Sequence, residues 1–252
     1  ACLVGSEMCI RDRCVIGLAA LIALSEILGA IGWLRLGPIT AASALAAIGT
    51  SKAVGTSRRD RTRAARADAT RGADRVTIPL AVVAGAITIA AWAAPTLESF
   101  DHGIRGFDSL WYHLPWAASF AQTGHITPLR LTDVDYLSQF YPATSELIHA
   151  VGIVLLGRDT LSPMVNLIWL GLSLLAAYCI GRPRGLGALT LVGAAVAFVT
   201  PALVSSQAGS AANDIVGVFF LLAAVAVWVN ADGDQAGLVL AAVAAGLAIG
   251  TK

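Results

Sequence analysis

Residues 163–204 read PMVNLIWLGLSLLAAYCI, then GRPRG, then LGALTLVGAAVAFVTPALV. Each apolar run has the length of a helix crossing ~30 Å of hydrocarbon, for which about 17–25 residues are needed. The turn between them is tight and basic. Two such runs around a short polar turn read as a helical hairpin in a bilayer, and the rest of the chain repeats the pattern. Hydrophobic residues make up 57% of the 252 residues and charged residues 13%, against about 45–50% and about 25% in soluble domains. The formal net charge of +1 is uninformative, because charge is segregated into the segments between apolar runs. The fold class expected is all-α: a polytopic transmembrane helical protein with a long external loop carrying an amphipathic surface helix.

Working outward, the other candidate spans are residues 14–33, a weaker Ala-rich stretch 38–54 interrupted by Gly49 and Lys52, 77–95, 214–229, and a helix from 236 onwards. Residues 51–75 hold Lys52, Arg58, Arg59, Arg61, Arg63, Arg66, Arg71 and Arg75 against Asp60, Asp68 and Asp74. The positive-inside rule makes this loop cytoplasmic. It lacks interleaved aromatics and lies between spans, which argues against a nucleic-acid partner. The span 77–95 then runs outwards, and 96–142 is the external loop. Within it residues 109–122 (SLWYHLPWAASFAQ) read as an amphipathic helix lying on the membrane surface, with Pro115 marking a kink or a start.

Residues 143–157 are apolar but short, and two arrangements are open. As a helix packed at the outer surface, they leave Arg182 and Arg184 cytoplasmic and put Asp214 on the face of Asp108. As a span, they send Arg182 and Arg184 outside and Asp214 inside. The charge bias favours the first. Residues 1–13 (ACLVGSEMCIRDR) show no helical periodicity, look like translated adapter sequence and stand apart from the fold. The last apolar helix stops where it should leave the bilayer, so the chain reads as the N-terminal part of a longer protein. The organisation expected is 1–13 non-native, 14–56 an N-terminal transmembrane hairpin, 57–76 the basic cytoplasmic loop and 77–252 the remaining transmembrane region. Cys2, Cys9, Cys14 and Cys179 have no disulfide or metal spacing, and Cys179 reads as a small packed hydrophobe.

The chemistry-bearing residues gather on the long loop. Phe107-Asp108-Ser109-Leu110-Trp111-Tyr112-His113-Leu114-Pro115 sets a carboxylate one helical turn from an aromatic–His pair. Asp108 reads as an N-cap, as a site carboxylate, or as both. His102, His113, His125 and His149 follow no metal-binding pattern and read singly as surface hydrogen-bonding groups. Glu146 and His149, three positions apart, share a helical face. They make an interfacial hydrogen bond or, with Asp108, bind a divalent cation. Asp214 opens a span, where capping and the helix dipole favour a carboxylate; a site role is the other reading.

The order of these features is similar to the N-terminal half of the GT-C superfamily of membrane glycosyltransferases. An outward span precedes a long external loop with an early Asp and the Tyr112-His113-Leu114-Pro115 surface helix. Tyr141-Pro142 enters an apolar helix, a span ends in Tyr178-Cys179-Ile180-Gly181-Arg182, and another closes in Thr200-Pro201 before Ala212-Asn213-Asp214. The resemblance covers residues 77–252 and is closest to groups related to protein O-mannosyltransferases and lipid A aminoarabinose transferases. It departs from the pattern in lacking an adjacent Asp-Glu pair in the loop and in having extra spans before the usual first one.

The resemblance implies a multi-pass protein of the cell (plasma or inner) membrane. A sugar would pass from a polyprenyl-phosphate donor held in the lipid bilayer to an acceptor hydroxyl at the outer face, with inversion. The acid of the first external loop is the base, here Asp108 or Asp101, and a second acid, here Asp214, shapes the site. Arg105, Arg130 and His113 are candidates to stabilise the departing phosphate, with Glu146 and His149 extending the site. Two rivals remain: a transporter or flippase of lipid-linked cargo, and a non-catalytic membrane scaffold. A transporter should place ionisable residues near mid-span, and here the mid-span positions are almost all apolar.

Overall fold

The computed structural model describes residues 3–53, 71–127, 129, 135, 138–231 and 233–251. Among them every regular element is helical and no strand occurs. Helix α1 (Leu3–Ala30) starts inside the segment that the sequence sets apart, and turns back into α2 (Leu36–Ala53). Helix α3 (Arg71–His102) runs past its expected end at Pro95, although Pro79 and Pro95 both lie inside it. The hydroxyls of Thr96 and Ser99 donate to the carbonyls of Trp92 and Pro95 one turn back. The basic loop 57–76 lies outside the described residues up to residue 70.

The surface helix expected at 109–122 opens as a π-helical turn, Ser109–His113, and continues as α4 (Leu114–Thr123), with Pro115 in its first turn. Helix α5 (Thr144–Leu156) follows, then α6 (Ser162–Gly181) and the tight turn Arg182–Arg184. The span expected at 186–204 is two helices, α7 (Gly187–Phe198) and α8 (Pro201–Gln207), bent by 72°. Thr200 between them is extended, at φ −60° and ψ 137°, the conformation favoured for a residue that precedes proline. Helices α9 (Asp214–Ala231) and α10 (Gln235–Ile249) complete the described chain. Thr77–His102, Ser162–Arg184 and Asp214–Ala231 are each long and apolar enough to cross a membrane, and α7 with α8 makes a fourth if counted as one span. The apolar stretches Cys14–Ala30 and Leu36–Ala47 of the expected N-terminal hairpin are shorter.

One core joins α1, α3, α6, α7, α9 and α10 around Trp92, Trp169, Leu170, Phe219 and Phe220. Alanines such as Ala195, Ala223 and Ala244 are buried within it, and small residues let helix backbones approach closely. A second cluster lies under the long loop, where Leu34 and Ile39 meet Tyr112, Trp116, Phe120, Leu147 and Val151. Backbone bonds from Leu34 to Gly124 and from Ile126 to Gly29 fasten the α1–α2 elbow to the end of α4.

The direction of each helix follows from its hydrogen bonds. Thr88 donates to Ala195 O at 3.2 Å and Trp92 Nε1 to Phe198 O at 2.8 Å, so α3 and α7 rise together. Asn166 at the head of α6 donates to Gln207 O and Ala212 O, while Asn230 at the foot of α9 donates to Cys179 O. The loop that follows α3, the α8–α9 link and the head of α6 therefore share one end, and Arg182 and Arg184 lie at the other. Helix α5 begins at this loop end, where Thr144 donates to Gly250 O. The short link 157–161 returns it to the head of α6, so α5 lies across the end of the bundle rather than along it.

The link between α8 and α9 depends on Gly209. Its φ is +65°, and a Cβ there would stand 2.6 Å from the carbonyl oxygen of Pro95. Gly209→Ala should destabilise the protein by at least about 1–3 kcal/mol, the scale of a strained non-glycine backbone. Thermal unfolding in detergent micelles will show a clear drop in Tm, and an unchanged Tm would mean that α3 does not hold this link.

Candidate functional site

The π-turn decides which side chains of the loop face inward. A wider turn of this kind inside an α-helix is rare and is frequent at functional sites. Here Ser109, Tyr112 and His113 are buried, while Phe107, Asp108 and Leu110 are exposed. Ser109 Oγ accepts a 3.0 Å bond from the amide of Ala211, which ties the turn to the α8–α9 link. Asp108 is helical at φ −59° and ψ −35° and makes no capping bond with its side chain. The N-cap reading of Asp108 thus fails, because the helix begins before it.

Tyr112 marks the point where separate elements converge. Its ring packs on those of His113, Trp116 and Tyr141, with centroids 4.0, 5.4 and 5.6 Å away. Burial lifts its phenol well above the usual tyrosine range, and Asp108, Glu146, Tyr141 and Asp214 push it further in the same direction. The phenol therefore keeps its proton at any physiological pH and is available as an O–H donor. The Ser109–Ala211 bond ties the turn that carries Asp108 to the link that leads into Asp214, so the two acids lie at one end of the bundle.

Asp214 sits in the first turn of α9, where the helix dipole favours a carboxylate. Its Oδ2 accepts a 2.7 Å bond from Gln207 Nε2, and Gln207 Oε1 accepts from the amide of Ile215 at 3.3 Å. Nothing in the sequence pointed to Gln207, since its partner lies across an irregular link that carries no periodicity.

Below Tyr112 is a buried polar group. His113 Nδ1 hydrogen-bonds Oε1 of Glu146, and both side chains are 1% exposed. The expectation of a surface histidine is overturned for His113 and for His149, which is also buried. The cause is the π-turn and the crossing position of α5, which press α4 and α5 face to face. Burial, and after it the neighbouring His113, pushes the His149 imidazole far below its usual range and keeps it neutral. Glu146 Oε2 and both ring nitrogens of His149 have no hydrogen-bond partner among the described residues.

The remaining candidates do not converge. Arg105 is exposed and lies 3.9 Å from Glu98, an exposed pair of little energetic weight. Asp101 is exposed on the last turn of α3. Arg130 lies outside the described residues. Among the described residues no three His, Cys, Asp or Glu side chains stand close enough to hold a metal ion. An apolar groove of about 490 Å³ between α1 and α10, lined by Ile16, Ala19, Val239 and Val243, bears no ionisable group. No protein-family model, no curated protein and no solved structure matches the chain.

Glu146→Leu should cost about 3–5 kcal/mol, the scale of breaking one side of a buried polar pair. Glu146→Gln keeps an acceptor for His113 and should cost clearly less; equal losses in thermal unfolding would mean that the bond does not matter. For His149 the unfolded chain takes up a proton near pH 6.5 while the folded one does not. Stability should therefore be present above that pH and fall as pH drops below it, by up to about 1.4 kcal/mol per unit. His149→Leu should flatten this slope, and an unchanged slope would assign the acid sensitivity elsewhere.

Proposed function

We propose that the chain belongs to a polytopic glycosyltransferase of the GT-C type, embedded in the cell membrane. It would move a sugar from a polyprenyl-phosphate donor to an acceptor hydroxyl at the outer face. The observation that carries this reading is that Asp108 and Asp214 lie at one end of the bundle, away from Arg182 and Arg184, with their segments tied together by the Ser109–Ala211 bond. The membrane part is supported by the three or four apolar helices and by α3, whose Ile78, Leu80, Val82, Val83, Ile87 and Ile89 are exposed. So large an apolar face suits lipid, not water. The basic turn makes its own end cytoplasmic by the positive-inside rule, which leaves the long loop outside.

In this reading Asp108, exposed and uncommitted to a cap, takes the proton of the acceptor hydroxyl. The hydroxyl oxygen bonds to the anomeric carbon from the face opposite the phosphate. The sugar–phosphate bond breaks, its electron pair leaves with the polyprenyl phosphate, and the configuration inverts. Asp214 orients the sugar, and the protonated Tyr112 donates a hydrogen bond. His113 takes no part at the phosphate, being buried against Glu146. Arg105 and Arg130 remain for the leaving group. The transporter reading finds less support, because the ionisable groups of the described spans stand at their ends, at Glu98, Asp101, Arg182, Arg184 and Asp214.

Asp108→Asn should reduce transfer of radiolabelled sugar from polyprenyl phosphate in membrane vesicles by about 10²–10⁴-fold, the usual contribution of a general base. Membrane insertion should be unchanged; wild-type turnover would remove Asp108 from the mechanism. Orientation has its own test. Single cysteines beside Asp108, at the exposed Ser206 just before the α8–α9 link and at Arg184, in a chain lacking Cys2, Cys9, Cys14 and Cys179, would be treated in intact cells with an impermeant thiol reagent. The first two should label and the third should not. Protection at Ser206 would separate the two acids and end the two-acid site.

A further inference from the structure

Gln207 is among the largest fully buried side chains of the protein, and it lies at the end of a seven-residue helix reached through a 72° break. A buried amide is costly unless both of its ends are paired. Here both are, and the pairing allows only one orientation. The amide proton of Ile215 can only donate, so it requires the carbonyl oxygen of Gln207 opposite it, at 3.3 Å. The NH2 group is then left to face Asp214 Oδ2, at 2.7 Å. Turning the amide over would set N–H against N–H and carbonyl against carboxylate. The backbone of Gln207 is held as firmly. Asn166 Nδ2 donates to Gln207 O at 2.8 Å and to Ala212 O at 2.9 Å, bracing α6 against both ends of the α8–α9 link. Capping alone would need no such device, since an acid at a helix start can take its own helix amides.

We propose that Gln207 is a positioning residue of the candidate site: it commits Asp214 Oδ2 and thereby fixes the orientation of the Asp214 carboxylate at the loop end of the bundle. This inference rests on the glycosyltransferase reading for its role in the reaction, though not for the contact itself. The break at Val199–Thr200 gains a purpose from it, because a straight helix would carry residue 207 away from the start of α9.

Gln207→Glu tests the proposal by pH. In its protonated form the introduced carboxyl reproduces the amide, its O–H donating to Asp214 and its C=O accepting from Ile215. In its ionised form it sets two carboxylates together, which also raises its pKa. Turnover of radiolabelled polyprenyl-phosphate sugar by Gln207→Glu should approach the wild-type rate near pH 5 and fall about tenfold or more below it near pH 8, the scale of losing a hydrogen bond to a charged group. Gln207→Leu should be low at every pH. A wild-type pH profile for Gln207→Glu would overturn the proposal. A second readout is the thermal unfolding of the purified chain. A group whose pKa is raised by folding loses its stabilisation as pH rises. Tm of Gln207→Glu should therefore lie near wild type at pH 5 and drop below it by pH 8, while the deficit of Gln207→Leu stays constant. Absence of transfer by the unaltered protein counts against the glycosyltransferase reading alone. A pH-independent Tm deficit in Gln207→Glu counts against the grip on Asp214.

Discussion

Pro201 has no amide proton for the carbonyl of Ala197 one turn earlier, and the arrangement of the loop end depends on the break in the helix at this point. Thr200 takes the carbonyl instead, through its own amide at 3.3 Å and its hydroxyl at 2.9 Å. The helix stops and the chain turns by 72°. The short α8 then delivers Gln207 to the start of α9. Gly209, with its left-handed backbone, lets the link pass against Pro95, and Ala211 reaches Ser109 of the π-turn. A continuous helix through residues 199–201 would have no place for any of these contacts. One break between two helices therefore connects the α3–α7 pair, the long loop and the start of α9.

Polar groups at the loop end are more buried than an interfacial site would need. Glu146 and His113 are enclosed between α4 and α5, and His149 is kept neutral beside them. Burying such groups is unfavourable unless they are paired, and the pair binds two amphipathic helices to each other in a fixed register. The aromatic cluster above it, Tyr112 with Trp116 and Tyr141, adds directional ring contacts. Asp108 is exposed just outside this assembly. An exposed carboxylate is thus carried on a rigid mount.

Much of the helical layout was legible in the sequence because hydrophobic run length is a local property. The expected limits of α6 and α9 and the expected start of α10 differ from the observed ones by two residues or fewer. Asp108, Asp214 and Glu146 could be singled out because a carboxylate beside apolar runs is conspicuous. Other features were misread for identifiable reasons. Pro95 looked like a helix end, but the helix runs through it to His102. Thr200-Pro201 was seen as a closing motif, without the sharp bend that follows from it. His113 and His149 looked like surface groups, since periodicity cannot show that α4 and α5 pack face to face.

The sequence by itself determined that the chain is helical, where its apolar helices run and where its charge collects, because backbone bonding and hydrophobic runs act within about twenty residues. Only the tertiary structure decided that α5 lies across the bundle end and that the turn carrying Asp108 is tied to the link before Asp214. It alone paired His113 with Glu146 and Gln207 with Asp214. Those relations join groups far apart in the chain through an irregular link and a π-turn. Neither has a period, so their outcome depends on how whole helices pack and not on any local pattern of residues.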